Sequence, residues 1–199
     1  MTKVKFCGLT AVGDIAAANQ LQPDYIGFVF APKSKRYVTS AAAAQLKQSL
    51  SPNIKAVGVF VNESPETVAS IVSEGIIDLI QLHGEEDSAY LAKLRALTAA
   101  PIIKAFVIKN AADVSAALAS EADFLLLDAG AGEGKNFDWT LIKNFPRPYF
   151  LAGGLNPQNV KSALQHLTPY AVDVSSGIET NGHKDKNKMA TFMQAVIFP

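Results

Sequence analysis

The chain has 199 residues, 49% of them hydrophobic, and its 18 basic residues balance 18 acidic ones. This length suits one domain with a sizeable core, so residues 1–199 are expected to form a single domain. The even charge balance, without a basic stripe, argues against nucleic acid and anionic membrane surfaces as partners. No apolar stretch is long enough to span a bilayer or to form a signal peptide, and one cysteine, Cys7, suits a reducing compartment. A cytoplasmic protein is therefore expected.

Eight short apolar segments predict strands buried on both faces. They are Val4–Cys7, Tyr25–Phe30, Lys55–Val61, Leu79–Leu82, Ile102–Val107, Phe124–Asp128, Tyr149–Ala152 and Ala171–Val174. Helices are predicted at Ala11–Leu21, Ser40–Leu50, Pro65–Glu74, Ser88–Leu97, Ala111–Ala119, Pro157–Leu167 and Lys186–Val196. Ser64 and Asn156 each precede a proline, which predicts helix N-caps at both positions. The segment after Asp128 is glycine-rich and only weakly helical around Trp139–Lys143.

Alternating strands and helices predict parallel pairing, either in an open doubly wound α/β sheet or in a closed (β/α)8 TIM barrel. Eight units favour a compact barrel, although about 250 residues is more usual for this fold. Lys5 and Cys7 share one strand face, opposite Val4 and Phe6, and we predict that this face points into the barrel. Since a buried ammonium needs a partner and the first and last strands of a barrel are neighbours, Lys5 should face Asp173. The alternative is a surface Lys5 on a frayed strand.

Two candidate catalytic residues end predicted strands, where barrel enzymes place their active sites. Cys7 can act there as a nucleophile or general base, with Lys5 helping to form the thiolate, or it can be a small buried hydrophobe. Asp128 follows three leucines, and a partly desolvated carboxyl at this position can serve as a general acid. Its alternative role is an N-cap or turn residue.

Loops after other strands offer groups for binding a phosphorylated ligand. Gly153-Gly154 and Ser175-Ser176-Gly177 follow the seventh and eighth strands, where barrels commonly bind phosphate, although either stretch alone also suits a plain turn. Arg36 lies in a basic loop, and its guanidinium is suited to bind a carboxylate through two parallel hydrogen bonds. His83 suits either a base or hydrogen-bond donor, or a structural role.

The sequence offers no ligand set for a metal or an organic cofactor. One cysteine and three scattered histidines do not suit zinc. The segment Gly130–Lys135 resembles a nucleotide loop but has Ala129 and Asn136 where a P-loop needs glycine and a hydroxyl residue. Neither ATP nor NAD is indicated, and we expect no cofactor.

Lys5-Phe6-Cys7-Gly8-Leu9-Thr10 closely resembles the opening motif of the phosphoribosylanthranilate isomerase family of tryptophan biosynthesis. Similar motifs follow in the family's order at Gln81–Gly84, Leu126–Asp128, Gly134-Lys135, Phe137–Trp139, Ala152–Leu155 and Val172–Glu179. The resemblance implies a (β/α)8 barrel and a cofactor-free Amadori rearrangement of N-(5-phosphoribosyl)anthranilate to 1-(2-carboxyphenylamino)-1-deoxyribulose 5-phosphate.

The resemblance also implies a role for each matching residue. It makes Cys7 the general base, Asp128 the general acid and Arg36 the contact to the anthranilate group, while Gly154 and Ser175–Gly177 match the phosphate loops. The chain departs from the family at Ala129, Glu133 and Asn136, none of which is a catalytic position.

The expected partner is thus a small phosphorylated substrate. Two alternatives are another phosphate-binding barrel enzyme, such as a lyase or cyclase, and a noncatalytic phosphate-ligand binder. The presence of both Cys7 and Asp128 argues against the second. The sequence leaves open the oligomeric state, with a monomer favoured, and the breadth of substrate use among related aminoaldoses.

Overall fold

In a computed structural model, which describes residues 1–128 and 139–198, eight parallel strands close into a barrel in sequence order. The strands are β1 Lys3–Cys7, β2 Tyr25–Val29, β3 Lys55–Phe60, β4 Leu79–Leu82, β5 Ile102–Val107, β6 Phe124–Asp128, β7 Tyr149–Ala152 and β8 Ala171–Val174. The predicted (β/α)8 barrel is confirmed.

Helices surround the barrel and connect its strands. They are α1 Val12–Leu21, α2 Ser40–Gln48, α3 Pro65–Ser73, α4 Ser88–Leu97, α5 Ala111–Ala119, α6 Val160–His166 and α7 Lys186–Ile197. Short 3-10 helices lie at Trp139–Ile142 and Ser176–Ile178, and a two-stranded hairpin of β9 Glu179–Thr180 and β10 His183–Lys184 precedes α7. No helix among the described residues is long and apolar enough to cross a membrane.

Most predicted bounds agree with the structure to within two residues, but the start of α6 is wrong. Asn156 was predicted to cap a helix beginning at Pro157, whereas α6 begins at Val160 with Asn159 as its N-cap. Asn156 instead closes a turn, because its side-chain oxygen accepts hydrogen bonds from the N–H groups of Gln158 (2.9 Å) and Asn159 (3.1 Å). An asparagine before a proline thus formed a local turn in place of a helical start. The other predicted cap, Ser64, accepts from Thr67 N–H and is confirmed.

The closure of the barrel brings Lys5 of β1 opposite Asp173 of β8. The two residues are register partners, and Lys5 Nζ lies 3.0 Å from Asp173 Oδ2. The Lys5 side chain is fully buried and that of Asp173 is 8% exposed. This confirms the predicted interior pair and excludes a surface position for Lys5. Burial lowers the pKa of Lys5, but Asp173 and Cys7 more than offset it and raise that pKa overall, so Lys5 stays charged.

Apolar and aromatic side chains fill the barrel beneath this ion pair. The interior cluster contains Tyr25, Val57, Leu79, Ile103, Leu126, Phe150, Ala152 and Ala171. Near the amino ends of the strands, the Tyr25 and Tyr170 hydroxyls are 3.0 Å apart, and Lys3 Nζ lies 5.0 Å from the Tyr170 ring centroid. The barrel is therefore a packed core at this end, and the functional groups gather at the other.

A second buried ion pair, outside the barrel interior, braces two loops at the carboxyl ends of the strands. Lys104 Nζ lies 2.7 Å from Glu86 Oε2 and 2.7 Å from the Gly84 carbonyl oxygen. Glu86 also accepts hydrogen bonds from the N–H groups of Asn62 and Gly84. Because Gly84 follows His83 directly, this network fixes the chain beside a predicted site residue.

Replacing Lys5 by Met should lower the free energy of unfolding by about 3–5 kcal/mol, because it leaves a buried Asp173 carboxylate unpaired. The double variant Lys5→Met/Asp173→Leu should recover most of that loss, since an apolar pair carries no desolvation cost. Urea denaturation of the wild type, both single variants and the double variant gives the four free energies of unfolding. Additive losses in the double variant would contradict the pairing energetics.

Candidate active site

A cavity of about 330 Å³ opens at the carboxyl ends of the strands. It brings together predicted site residues from six strands or the loops after them. These are Cys7, Arg36, His83, Asp128, Gly153, Gly154, Ser175 and Ser176. Apolar side chains, among them Val29 and Val59, complete the wall. The combination of a mostly apolar wall and a few convergent polar groups is typical of a small-molecule site.

Cys7 lies in the cavity wall with only 9% of its surface exposed. It packs against Val29 and Val59, and a Cβ added to Gly27 would lie 2.8 Å from its sulfur. The neighbouring strand must therefore carry glycine at this register position for the thiol to fit. Burial raises the pKa of Cys7, and the nearby positive charge of Lys5 only partly offsets that rise. The thiol is thus mainly protonated near neutral pH.

Asp128 ends β6 on the opposite side of the barrel from Cys7 in β1. Its side chain is 23% exposed, and its Oδ2 lies 3.9 Å from His83 Nε2. Burial lowers the pKa of His83, although the charge of Asp128 opposes this. The imidazole is therefore neutral near pH 7, and the contact with Asp128 is polar rather than an ion pair.

Gln81 sets the orientation of His83 and was not predicted as a site residue. Its Nε2 lies 3.0 Å from His83 Nδ1. When the amide donates to Nδ1, the imidazole proton sits on Nε2, the nitrogen nearer Asp128. The sequence signal was a glutamine within an otherwise apolar strand, β4. In the structure this side chain is buried, with 1% of its surface exposed.

Arg36 lies in the cavity wall but is already bound to a carboxylate of the protein. Its Nε and Nη2 donate to the two Glu179 oxygens at 2.6 and 2.7 Å. Lys184 Nζ lies 2.6 Å from Glu179 Oε1. Burial would raise the pKa of Glu179, but hydrogen bonds from Arg36 and Lys184 lower it overall, so this carboxylate is ionised.

The sequence analysis does not predict the hairpin that carries Glu179 and Lys184. Its turn is Asn181-Gly182, with φ angles of 53° and 80°. Left-handed backbone at both central residues is the type I′ hairpin turn, for which Asn-Gly is the strongest short-range signal. The dipeptide was therefore a usable signal for a hairpin beside the active site.

The two predicted phosphate loops lie side by side at the cavity. Gly153 and Gly154 both have positive φ, at 94° and 65°, which favours glycine. Ser175 Oγ donates to the Cys7 carbonyl oxygen at 3.1 Å and so ties the second loop to β1. Gly177, predicted as a binding residue, is not among the described residues lining the cavity. A Cβ there would lie 1.9 Å from the Leu155 carbonyl oxygen, so its place is the close packing of the two loops.

Several sequence features fall in the segment between Asp128 and Trp139. The departures Ala129, Glu133 and Asn136, the nucleotide-loop-like segment Gly130–Lys135 and the motif residues Phe137-Asp138 all lie outside the described residues. In the part of the chain that is described, no group of three or more His, Cys, Asp or Glu residues is placed to hold a metal ion.

Comparisons of the sequence and of the structure with known proteins point to the same family. Residues 4–195 match the family described as N-(5'phosphoribosyl)anthranilate (PRA) isomerase. The N-(5'-phosphoribosyl)anthranilate isomerase of Endomicrobium trichonymphae is 43% identical over 194 residues, 95% of each chain. The crystal structure of phosphoribosyl anthranilate isomerase from Thermotoga maritima superposes with a TM-score of 0.91, at 39% identity over 99% of both chains. A structure of phosphoribosyl anthranilate isomerase in complex with reduced 1-(o-carboxyphenylamino)-1-deoxyribulose 5-phosphate has a TM-score of 0.89, at 38% identity over 99% of both chains.

Alkylation of Cys7 should follow an apparent pKa above that of an ordinary thiol, because burial raises its pKa more than Lys5 lowers it. Since Cys7 is the only cysteine in the chain, the rate of iodoacetamide incorporation as a function of pH reports this group alone. The urea-unfolded chain supplies the reference, at a pKa of roughly 8.5. An apparent pKa in the folded protein below the reference value would contradict this description of the site.

Proposed function

The chain belongs to the N-(5'-phosphoribosyl)anthranilate isomerase family, and from this premise we propose that it catalyses the Amadori rearrangement of N-(5'-phosphoribosyl)anthranilate with Cys7 as general base and Asp128 as general acid. The product is 1-(2-carboxyphenylamino)-1-deoxyribulose 5-phosphate, an intermediate of tryptophan biosynthesis. The observation that carries the assignment of roles is the placement of Cys7 and Asp128 in one cavity, on strands from opposite sides of the barrel.

The reaction needs one acid and one base. Protonation of the ribose ring oxygen breaks its bond to C1, and the nitrogen lone pair forms an iminium. Removal of the proton at C2 then gives an enolamine. Tautomerisation adds a proton at C1 and turns the C2 hydroxyl into a ketone, so the substrate gains and loses protons in equal number. The substrate nitrogen accepts the electrons, and groups positioned on either side of the sugar can serve the two transfers.

Cys7 suits the removal of the C2 proton. Burial raises the pKa of its thiol, which makes the thiolate, once formed, a stronger base than an exposed one. The fully buried ammonium of Lys5 lies on the same strand face and stabilises the thiolate. Gly27 leaves the space that the sulfur occupies. These features favour proton transfer over a purely structural role for the cysteine.

Asp128 suits protonation of the ring oxygen from the opposite side. It is half-buried at the mouth of the barrel, where a carboxyl group can meet the sugar while remaining accessible to solvent protons. The neutral His83 beside it offers a hydrogen-bond donor through Nε2 when Gln81 donates to Nδ1. We assign His83 the orientation of the acid or the substrate rather than the proton transfer itself.

Two groups of residues are suited to bind the two ends of the substrate, its phosphate and its carboxylate. The backbone of Gly153, Gly154, Ser175 and Ser176 surrounds one side of the cavity and suits a phosphate group. Arg36 suits the anthranilate carboxylate, because its guanidinium can bind a second carboxylate through the edge that Glu179 does not use.

The remaining expectations stand as parts of the same proposal. Residues 1–199 form one domain that acts on a small phosphorylated substrate in the cytoplasm, and the oligomeric state is open, with a monomer favoured. The matched family is one of isomerases, and no feature of the described residues favours a lyase, a cyclase or a noncatalytic binder over it.

The wild-type protein should convert freshly prepared N-(5'-phosphoribosyl)anthranilate, as followed by the loss of anthranilate fluorescence. Cys7→Ser and Asp128→Asn should each lower kcat by about 10²–10⁴, because each removes one proton-transfer group. Binding of the reduced product analogue, measured by calorimetry, is the control and should change little in both variants. Near-native turnover in either variant with intact binding would remove its assigned role, and a folded wild type without turnover would remove the proposed reaction.

A further inference from the structure

Three charged residues form a row that starts in the cavity wall and runs behind it. Arg36 lines the cavity, whereas neither Glu179 nor Lys184 is among the described residues that do. The side chain of Arg36 is 30% exposed, that of Glu179 9% and that of Lys184 3%. Only the arginine can therefore meet a ligand, and the other two act on it from behind.

Glu179 fixes the plane of the Arg36 guanidinium. Its two oxygens accept from Nε and Nη2, which form the side edge of the fork. Within the described residues this leaves Nη1 and the second N–H of Nη2, the end edge, for a further acceptor. A carboxylate fits that edge in the same bidentate manner.

The stem of Arg36 is fixed as well. A Cβ on Gly8 would lie 2.3 Å from Arg36 Cδ, so the chain after β1 approaches the arginine closely only because residue 8 is glycine. The Arg36 N–H donates to Ser34 Oγ at 3.1 Å. The Arg36 backbone is thus held by Ser34 and its guanidinium by Glu179, which reduces the entropy that a ligand must remove on binding.

Lys184 balances the charge of Glu179. Its ammonium lies 2.6 Å from Glu179 Oε1 and 3.0 Å from the Ser175 carbonyl oxygen. Two cations and one carboxylate leave the row with a net positive charge. Without Lys184, the negative charge of Glu179 would cancel that of Arg36 and weaken the attraction for an incoming anion.

We propose that Glu179 is a positioning residue for recognition of the substrate's aromatic carboxylate, holding Arg36 with its end edge available to the cavity, while Lys184 keeps the row positively charged. This inference deepens the proposed function and rests on its assignment of Arg36 to the carboxylate. It assigns the hairpin of β9 and β10 to substrate specificity.

Two ligands that differ in one carboxylate separate this role from a merely structural one. The first is reduced 1-(o-carboxyphenylamino)-1-deoxyribulose 5-phosphate, and the second is the same compound without the carboxyl group. Glu179→Gln places an amide N–H against the donors of Arg36 and Lys184. This substitution should raise the Kd of the first ligand about tenfold, because the Arg36 guanidinium loses its orientation. The Kd of the second ligand should rise less than about twofold.

Three further variants complete the experiment. Glu121→Gln, on the exposed surface, is the matched control and should leave both Kd values unchanged. Because Lys184 also donates to the Ser175 carbonyl oxygen of the phosphate loop, Lys184→Met should weaken both ligands but the carboxylate ligand more, and it tests the proposal if Glu179→Gln fails to fold. Arg36→Lys replaces the bidentate guanidinium by a point charge and should reduce the preference for the carboxylate. Adding Glu179→Gln to Arg36→Lys should then cause little further selective loss.

Equal weakening of both ligands by Glu179→Gln would overturn the inference, because a structural role of the hairpin affects the whole site. Unchanged binding of the carboxylate ligand in both Glu179→Gln and Lys184→Met would overturn it as well. The two proposals fail separately: a wild type that discriminates between the ligands without turning over substrate would remove the isomerase proposal, while a selective loss of that discrimination in Glu179→Gln would still support this one. In an active enzyme, the effect of Glu179→Gln should appear in KM more than in kcat.

Discussion

The buried pair of Lys5 and Asp173 is the interaction on which the rest of the structure depends. It joins the first and last strands where the barrel closes, with Nζ and Oδ2 3.0 Å apart and neither side chain more than 8% exposed. Asp173 also lines the cavity, and the two charges act on Cys7 with opposite signs, since Lys5 lowers the pKa of the thiol and Asp173 raises it. The ion pair that closes the barrel therefore also sets the electrostatic environment of Cys7, the proposed base.

The groups around the cavity divide into two sides. On one side are Cys7, the Arg36 fork and the loop after β8, which Ser175 ties to the Cys7 carbonyl oxygen. On the other are Asp128 and His83, from β6 and β4. A substrate held between these sides would meet the proposed base, Cys7, on one side and the proposed acid, Asp128, on the other. The division follows from the parallel barrel, which brings the carboxyl end of every strand to one mouth.

Much of this arrangement could be predicted from local patterns. Apolar runs located the strands, and the alternation of side chains along β1 placed Lys5 and Cys7 on the inward face, which the pair with Asp173 confirms. Asn156 shows the limit of such signals, because the same side chain can cap a helix or close a turn. Contacts between distant segments could not be predicted in this way. Arg36 and Glu179 are 143 positions apart in the chain, and the Asn181-Gly182 turn indicates a hairpin without indicating what the hairpin touches.

The structure of the protein with bound reduced product analogue tests the central claim most directly. The account predicts the carbon equivalent to C2 within about 3.5 Å of Cys7 Sγ, as a near-attack geometry requires, with the Asp128 carboxyl within hydrogen-bonding distance of the oxygen that derives from the ribose ring. The two side chains should approach from opposite faces of the sugar. A complex in which His83 instead of Cys7 is the nearest base to C2, or in which Cys7 and Asp128 contact the same face, would contradict the account.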